Sequence, residues 1–375
     1  MRTERALYAA AFLMDLCAGL MAFTVPLLAL DLGASVIELG IIGTAGSFAY
    51  TIACSFTGKL ADRYDRRWLM VIGGLGVIVV TALLGFVSHT WLLILTTALS
   101  SSMMALFWPA LQAALAEGHS RAQLARVLGN FNMVWTIGFM SGPLLGGALY
   151  EIYPRLPFVV SFGAALLIVV GLAFFRLHQV KDQSTVVLEP PDPEQLKTLP
   201  RFRAIAWIAS FSAFFSLSMV SNQFPKLAQE LTISPAALGV MFALPRVIQF
   251  LIFMMVRHTH RWQFRLYPLI IPQIAAMIGM VLIATQDSPV VLCLAFSAIG
   301  MLIGSSFSAS QFYSFFHEAK KGELGAINEM VIGMSNFSAP LIGGILAETM
   351  GLRAPYVLCF VVLGVGVLVE YRRAR

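Results

Sequence analysis

Apolar stretches long enough to cross a lipid bilayer recur twelve times along this 375-residue chain. A helix needs roughly 20 predominantly apolar residues to span a hydrocarbon core of about 30 Å. The stretches fall near residues 7–29, 36–57, 69–88, 91–116, 123–149, 157–176, 204–224, 236–256, 266–286, 289–316, 324–347 and 353–371. In lipid, each spanning segment has to satisfy its own backbone polar groups, so runs of this length are expected to be helices. About 31 residues then serve each span with its loop, which leaves no room for a soluble domain. Charged residues are 12% of the chain, where soluble domains carry about 25%, so a soluble globular fold is excluded. The expected fold is an all-α membrane protein of twelve transmembrane helices.

Basic residues fix the expected orientation. With the N-terminus inside, 21 of the 25 Lys and Arg fall on cytoplasmic segments, three (Arg155, Lys226, Arg353) on outside loops and Arg246 within a span. That asymmetry follows the positive-inside rule and predicts both termini on the cytoplasmic side of a plasma membrane. The net charge of +6 therefore reflects topology, and no nucleic-acid partner is implied. The first apolar run is too long for a signal-peptide core and contains Asp15, so it is expected to remain as span 1. The four cysteines all fall within spans and suggest small packing residues, with no disulfide framework or metal site.

The chain also repeats itself at an offset near 200. VPLLALDLGASVIELG at 25–40 aligns without gaps to FPKLAQELTISPAALG at 224–239, seven of sixteen positions being identical, Ser35 and Ser234 among them. GPLLGGALYE at 142–151 matches APLIGGILAE at 339–348 at six of ten. Span 1 thus maps to span 7 and span 5 to span 11. Two six-helix halves related in this way form a transporter architecture with its substrate site near the midplane. The expected organisation is a bundle over 1–176, a cytoplasmic linker over 177–203 and a second bundle over 204–375. The linker, rich in proline and mixed charge, is expected to be extended or partly disordered.

GKLADRYDRR at 58–67 lies between spans 2 and 3. It resembles the loop signature G-x-x-x-D-R-x-G-R-R of the major facilitator superfamily: Gly58, Asp62, Arg63, Arg66 and Arg67 match, and Asp65 replaces the second glycine. The resemblance implies a cytoplasmic gate in which the Asp bonds the start of span 11 and the basic residues pair across the loop. The matching loop of the second half, RHTHRWQFR at 257–265, keeps the basic charge without the acid.

In span 5, Gly129, Gly138, Gly142, Pro143, Gly146 and Gly147 fit G-x8-G-x3-G-P-x2-G-G without departure. Gly138, Gly142 and Gly146 are spaced i, i+4, i+8 and make a flat stripe where another helix backbone can approach. The pattern resembles the span-5 motif of the superfamily's drug:proton antiporters, which implies an interbundle seam with span 8 and proton-coupled export. Those relatives usually carry an Arg in span 4; here that position is Thr97, so their proton-coupling arrangement does not transfer.

Three ionisable residues lie well within spans: Asp15, Arg246 and Glu329. Such residues are functional candidates by default, either carboxylates that load and release a proton or members of a fixed ion pair. Helical spacing gathers Trp108 and Gln112 in span 4, Asn132 in span 5, Asn222 in span 7, Arg246 and Gln249 in span 8, Gln311 in span 10, and Glu329 and Asn336 in span 11. Aromatics, a few amides and few charges suit an amphipathic organic substrate. The expected function is a secondary transporter working by alternating access, most simply proton-coupled export of such a compound as a monomer in the bilayer and without a cofactor. The alternative on the same fold is a uniporter, symporter or exporter of an anionic or lipid-like metabolite, favoured by Arg246 and the missing span-4 Arg. No nucleotide-binding or hydrolase motif is present, so enzymatic activity is not expected.

Overall fold

The computed structural model describes residues 2–116, 121–174, 193–316 and 321–374. These form twelve helices, each long and apolar enough to cross a membrane, with no strand among the described residues. They are α1 (Arg2–Asp31), α2 (Val36–Arg63), α3 (Arg66–Leu84), α4 (Thr90–Ala116), α5 (Arg121–Ile152), α6 (Leu156–Phe174), α7 (Pro193–Glu230), α8 (Pro235–His258), α9 (Tyr267–Thr285), α10 (Pro289–Phe315), α11 (Lys321–Met350) and α12 (Ala354–Ala374).

The residues that carry the internal repeat shape equivalent turns. Ser35 opens α2 with a capping box, its backbone N–H donating to Glu38 Oε2 at 2.8 Å and its hydroxyl accepting from the Glu38 N–H at 3.3 Å. Its repeat mate Ser234 caps α8 by accepting from the Ala237 N–H at 3.3 Å, with Pro235 in the first turn. Two residues before each cap the chain turns left-handed, at Gly33 (φ 82°) and at Thr232 (φ 54°). Glycine adopts that conformation freely, whereas threonine holds it against its own β-carbon.

The chain divides into two compact units, Met1–Ala34 with Ala45–Leu188, and Ser35–Thr44 with Glu189–Arg375. In the first, α1 packs on α5 and α6, and α3 on α4 and α6. In the second, α7 packs on α11 and α12, and α9 on α10 and α12, the same scheme shifted by six helices. The first turns of α2 belong to the second unit, where Thr44 Oγ1 donates to Phe337 O of α11 at 3.0 Å. The expected linker changes too. From Pro193 onward it is helical, so that α7 runs for 38 residues, started by a proline and Glu194 in its first turn and anchored by buried Leu199. The expectation of an extended linker therefore does not hold for residues 193–203; residues 177–192 lie outside the described residues.

Two of the three basic residues assigned to outside loops have a structural use. Arg155 donates to Leu84 O at 2.8 Å and to Val87 O at 2.6 Å, closing the C-terminal end of α3. Arg353, at the equivalent place in the second unit, donates to Ala284 O at 3.1 Å at the end of α9 and pairs with Asp287. A guanidinium at a helix C-terminus satisfies orphan carbonyls and meets the negative end of the helix dipole. Arg155→Gln and Arg353→Gln are each expected to cost about 1.5–3 kcal/mol, the range for hydrogen bonds to charged groups. Thermal melting of the detergent-purified protein measures this, and unchanged melting of both variants would show that these caps contribute nothing.

Candidate functional site

Proline in α5 and α11 removes a backbone N–H, so the carbonyl four residues earlier loses its helical donor. In α5, Pro143 frees Phe139 O, and this oxygen lies 2.5 Å from where a β-carbon of Gly19 would sit on α1. Only the hydrogen of a glycine fits there, in the geometry of a weak Cα–H···O contact. In α11, Pro340 frees Asn336 O, which accepts from the Ser218 hydroxyl of α7 at 3.1 Å. Gly19 and Ser218 occupy matching places in the two halves, so one proline device is completed in two chemical ways. Gln223 adds a second bond from α7 to α11, its Nε2 donating to Pro340 O at 3.1 Å.

The glycine stripe of α5 therefore packs inside the first unit. A β-carbon at Gly138 would lie 2.7 Å from Phe12 O and 2.9 Å from Asp15 Cβ; at Gly142 it would lie 2.3 Å from Gly19 C; at Gly146, 3.0 Å from Phe23 Cδ1. All three point at α1. Within the first unit, the close backbone approach that the spacing requires is made by α1, because Gly19 lets the two helices touch. Gly129 has nothing within 4 Å and takes no part in that contact. Gly147 and Pro143 are buried in the same helix.

Asp15 is 2% exposed on the α5-facing side of α1, opposite the space left by Gly138. Along the same helix, α5 carries half-buried Asn132 and Phe139 and fully buried Thr136, whose hydroxyl donates to Asn132 O at 2.8 Å. On α4, Trp108 packs edge-on against Phe131 of α5, ring centres 6.1 Å apart, while Gln112 is exposed.

In the second unit, Arg246 and Gln249 of α8 come together as their spacing predicts. Arg246 Nη1 donates to Gln249 Oε1 at 2.8 Å, with the two residues 9% and 0% exposed. Gly300 and Gly304 of α10 bring that helix close: their β-carbons would lie 2.5 Å from Pro245 O and 2.7 Å from Ile252 Cβ of α8. Phe242 stacks on Phe296, and Phe253 lies near Phe307, so the charged pair is flanked by aromatic rings along α8 and α10. Asn222 donates to Ser218 O at 2.9 Å, which ties it to the Ser218–Asn336 contact; Gln311 is half-buried on α10. Glu329 lies on an exposed face near the start of the apolar part of α11, next to buried Asn328.

The described residues between α2 and α3 make contacts inside the first unit. Asp65, the residue that breaks the loop signature, is the N-cap of α3 and accepts from the Arg67 N–H at 2.8 Å. Arg66 donates to Ala113 O at 3.2 Å near the end of α4, and Arg67 to Leu172 O at 2.6 Å and to Ala173 O at the end of α6. Instead of pairing only across their own loop, these two arginines tie the start of α3 to the ends of α4 and α6 within the first unit. Arg63 is exposed; Gly58 and Asp62 belong to the last turns of α2, and their side-chain surroundings lie outside what the structure describes.

Sequence reasoning missed a buried carboxylate, Glu370, bonded to Gln273 of α9. Its place one turn from the end of α12, just before Arg372 and Arg373, reads as the water interface. The available signal was the repeat: the offset of 198 that pairs Arg155 with Arg353 sets Leu172 opposite Glu370.

A family model described as Major Facilitator Superfamily matches residues 7–315 and 207–374. The quinolone resistance protein NorA of Staphylococcus aureus (strain MRSA252) is 24% identical over 97% of this chain and 94% of its own. Multidrug resistance protein 1 of Bacillus subtilis (strain 168) is 25% identical over 88% of this chain and 87% of its own. Among solved structures, a bacterial homologue of the human lysosomal transporter Spinster superposes with a TM-score of 0.79 at 15% identity, over 100% of this chain and 96% of its own. The nucleoside transporter NupG superposes with a TM-score of 0.70 at 13% identity, over 100% and 98%. At those identities the structural likeness concerns the fold alone.

Proposed function

The chain belongs to the Major Facilitator Superfamily and is a twelve-span membrane transporter, not an enzyme, and from that premise we propose that it exports an amphipathic organic compound in exchange for protons. It does so from the plasma membrane as a monomer, with both termini in the cytoplasm. The observation that carries the efflux reading is the near full-length similarity to two bacterial proteins named for quinolone and multidrug resistance. Proton exchange is supported by Asp15, a carboxylate buried in α1. A buried acid in an apolar span is expensive to charge, so loading it with a proton changes the energy of its surroundings by several kcal/mol. Alternating access then follows if proton and substrate each favour the opening toward a different side. Glu329, on an exposed face of α11, is the second carboxylate suited to this duty, and Asn132, Trp108, Asn222, Gln311 and Asn336 supply amide and aromatic contacts. Arg63, Arg66 and Arg67, with Gly58 and Asp62, act at the cytoplasmic gate.

One observation favours a second reading. The buried Arg246–Gln249 pair is built to meet an anionic group, and the span-4 position that carries Arg in the drug antiporters is Thr97. Transport of an anionic or lipid-like metabolite without proton exchange accounts for both.

Purified protein in liposomes with an imposed pH gradient and an internal pH dye separates the two. Lipophilic cations, neutral drugs and organic anions are added in turn to wild type and to Asp15→Asn. Substrate-triggered proton movement that Asp15→Asn abolishes is the expected result. Substrate uptake with no proton movement in wild type would remove the antiport reading and put the anionic one first.

A further inference from the structure

Glu370 is 0% exposed, and so is Gln273, its partner across the α9–α12 contact. Gln273 Nε2 lies 2.8 Å from Glu370 Oε1 and 2.7 Å from Oε2, so a single amide nitrogen serves both carboxyl oxygens. The same nitrogen also donates to Leu269 O at 3.4 Å, while Gln273 Oε1 is buried with no hydrogen-bond partner. Gly366, one turn earlier on α12, opens the space: a β-carbon there would lie 2.8 Å from Ser212 Oγ of α7 and 3.1 Å from Gln273 Oε1. Ser212 spends its hydroxyl proton on Ile208 O at 3.1 Å in its own helix. Glu370 is thus faced by an amide from α9 and a committed hydroxyl from α7. Among the described residues no hydrogen bond or ion pair reaches it from α11, and none of the cations of α7, α9 or α12 pairs with it; Arg372 and Arg373 are exposed beyond it.

A bare carboxylate has about four acceptor positions to fill and no proton to give. Fully buried beside one amide and no cation, it leaves most of them empty and strands Gln273 Oε1 as well, which is costly. A proton on one carboxyl oxygen resolves both faults. With the amide turned about its terminal bond, the new O–H donates to Gln273 Oε1 and the amide N–H donates to the other carboxyl oxygen, a matched acid–amide pair. Amide orientation in such a pair follows from the hydrogen-bond network it completes.

We propose that Glu370 is a proton-binding site of the second unit, holding one proton as a neutral carboxylic acid paired with Gln273, so that packing of α9 on α12 depends on proton occupancy. The proton comes from water on the cytoplasmic side, forms the O–H bond on loading, and returns to water on release. Release leaves an uncompensated carboxylate in the seam and loosens it. The first unit has Leu172 at the corresponding place and no such sensitivity.

The test uses the full chain in lipid nanodiscs, with wild type and Glu370→Gln compared by infrared difference spectroscopy on glutamate-labelled protein at neutral pH. Glu370→Gln is expected to remove a carboxylic acid C=O band. Removal of an ionised carboxylate band instead overturns the proposal. A second readout is the melting temperature against pH. A folded state that keeps a proton which the unfolded chain releases loses stability as pH rises, so wild type should melt lower with increasing pH and Glu370→Gln should lack that slope. Superimposed slopes overturn the proposal. The spectrum of wild type alone gives a reading that does not depend on the variant: absence of any glutamic acid C=O band at neutral pH overturns the proposal whether or not Glu370→Gln folds. The site does not rest on the antiport reading: an Asp15→Asn protein that transports normally sinks that reading and leaves the Glu370 band untouched.

Discussion

A leucine at Gly142 is expected to break the first unit. Its β-carbon alone would lie 2.3 Å from Gly19 C and 2.5 Å from both Gly19 Cα and Leu20 N, all backbone atoms of α1. A clash with a flexible side chain can be relieved by a rotamer change, whereas one with another helix's backbone forces the helices apart. Separation would also expose the carbonyl that Pro143 frees at Phe139. Overpacking usually costs about 1–3 kcal/mol, and backbone contact places this case at or above the upper end. Gly142→Leu should therefore lose folded protein in size-exclusion chromatography and melt well below wild type, and Gly142→Ala should fall between them. Gly129, Gly163 and Gly171 have nothing within 4 Å, so alanine at each should be harmless or slightly stabilising. Wild-type melting of Gly142→Leu would show that α1 and α5 do not meet as described.

Arg246→Gln should separate the two functional readings by the charge of what is carried. Glutamine keeps a donor for Gln249 Oε1, so the buried α8–α10 packing survives while the positive charge goes. If Arg246 meets an anionic group of the substrate, the lost charged hydrogen bond is worth about 1.5–3 kcal/mol, or roughly tenfold to hundredfold in affinity. Competition binding or concentration-dependent uptake in liposomes would show this loss for organic anions and zwitterions, with lipophilic cations held unchanged or improved. Equal loss for all charge classes would assign Arg246 to packing, and no loss for any would remove it from the site.

Much of the fold is legible in the sequence because the bilayer leaves few choices. Length and apolarity give twelve helices, since lipid offers no partner for an open backbone. The repeat reaches further than expected: Ser35 and Ser234, identical in the alignment, cap equivalent helices, and Arg155 and Arg353 close equivalent helix ends. The pairing of Arg246 with Gln249 is also readable, because residues three apart share a helix face. Helical propensity in the linker is what the composition hid; its prolines and charges resemble disorder, yet Leu199 finds a core to anchor it.

The small residues of α5 show where sequence stops. Their spacing requires that some backbone approach closely, but periodicity is a property of one helix and carries no information about which neighbour arrives. The chain's own glycine at position 19 decides it, and that residue lies more than a hundred positions away in a stretch with no motif. Likewise Asp65 reads as a defect in a loop signature until α3 is seen to start on it, and Glu370 reads as an interfacial charge until α7, α9 and α12 close around it. The sequence by itself determines the spans, their halves and the faces each helix offers, because these follow from local composition and period. Tertiary structure alone decides which faces meet and which polar atoms lose water, because burial belongs to the packed neighbours and not to the residue.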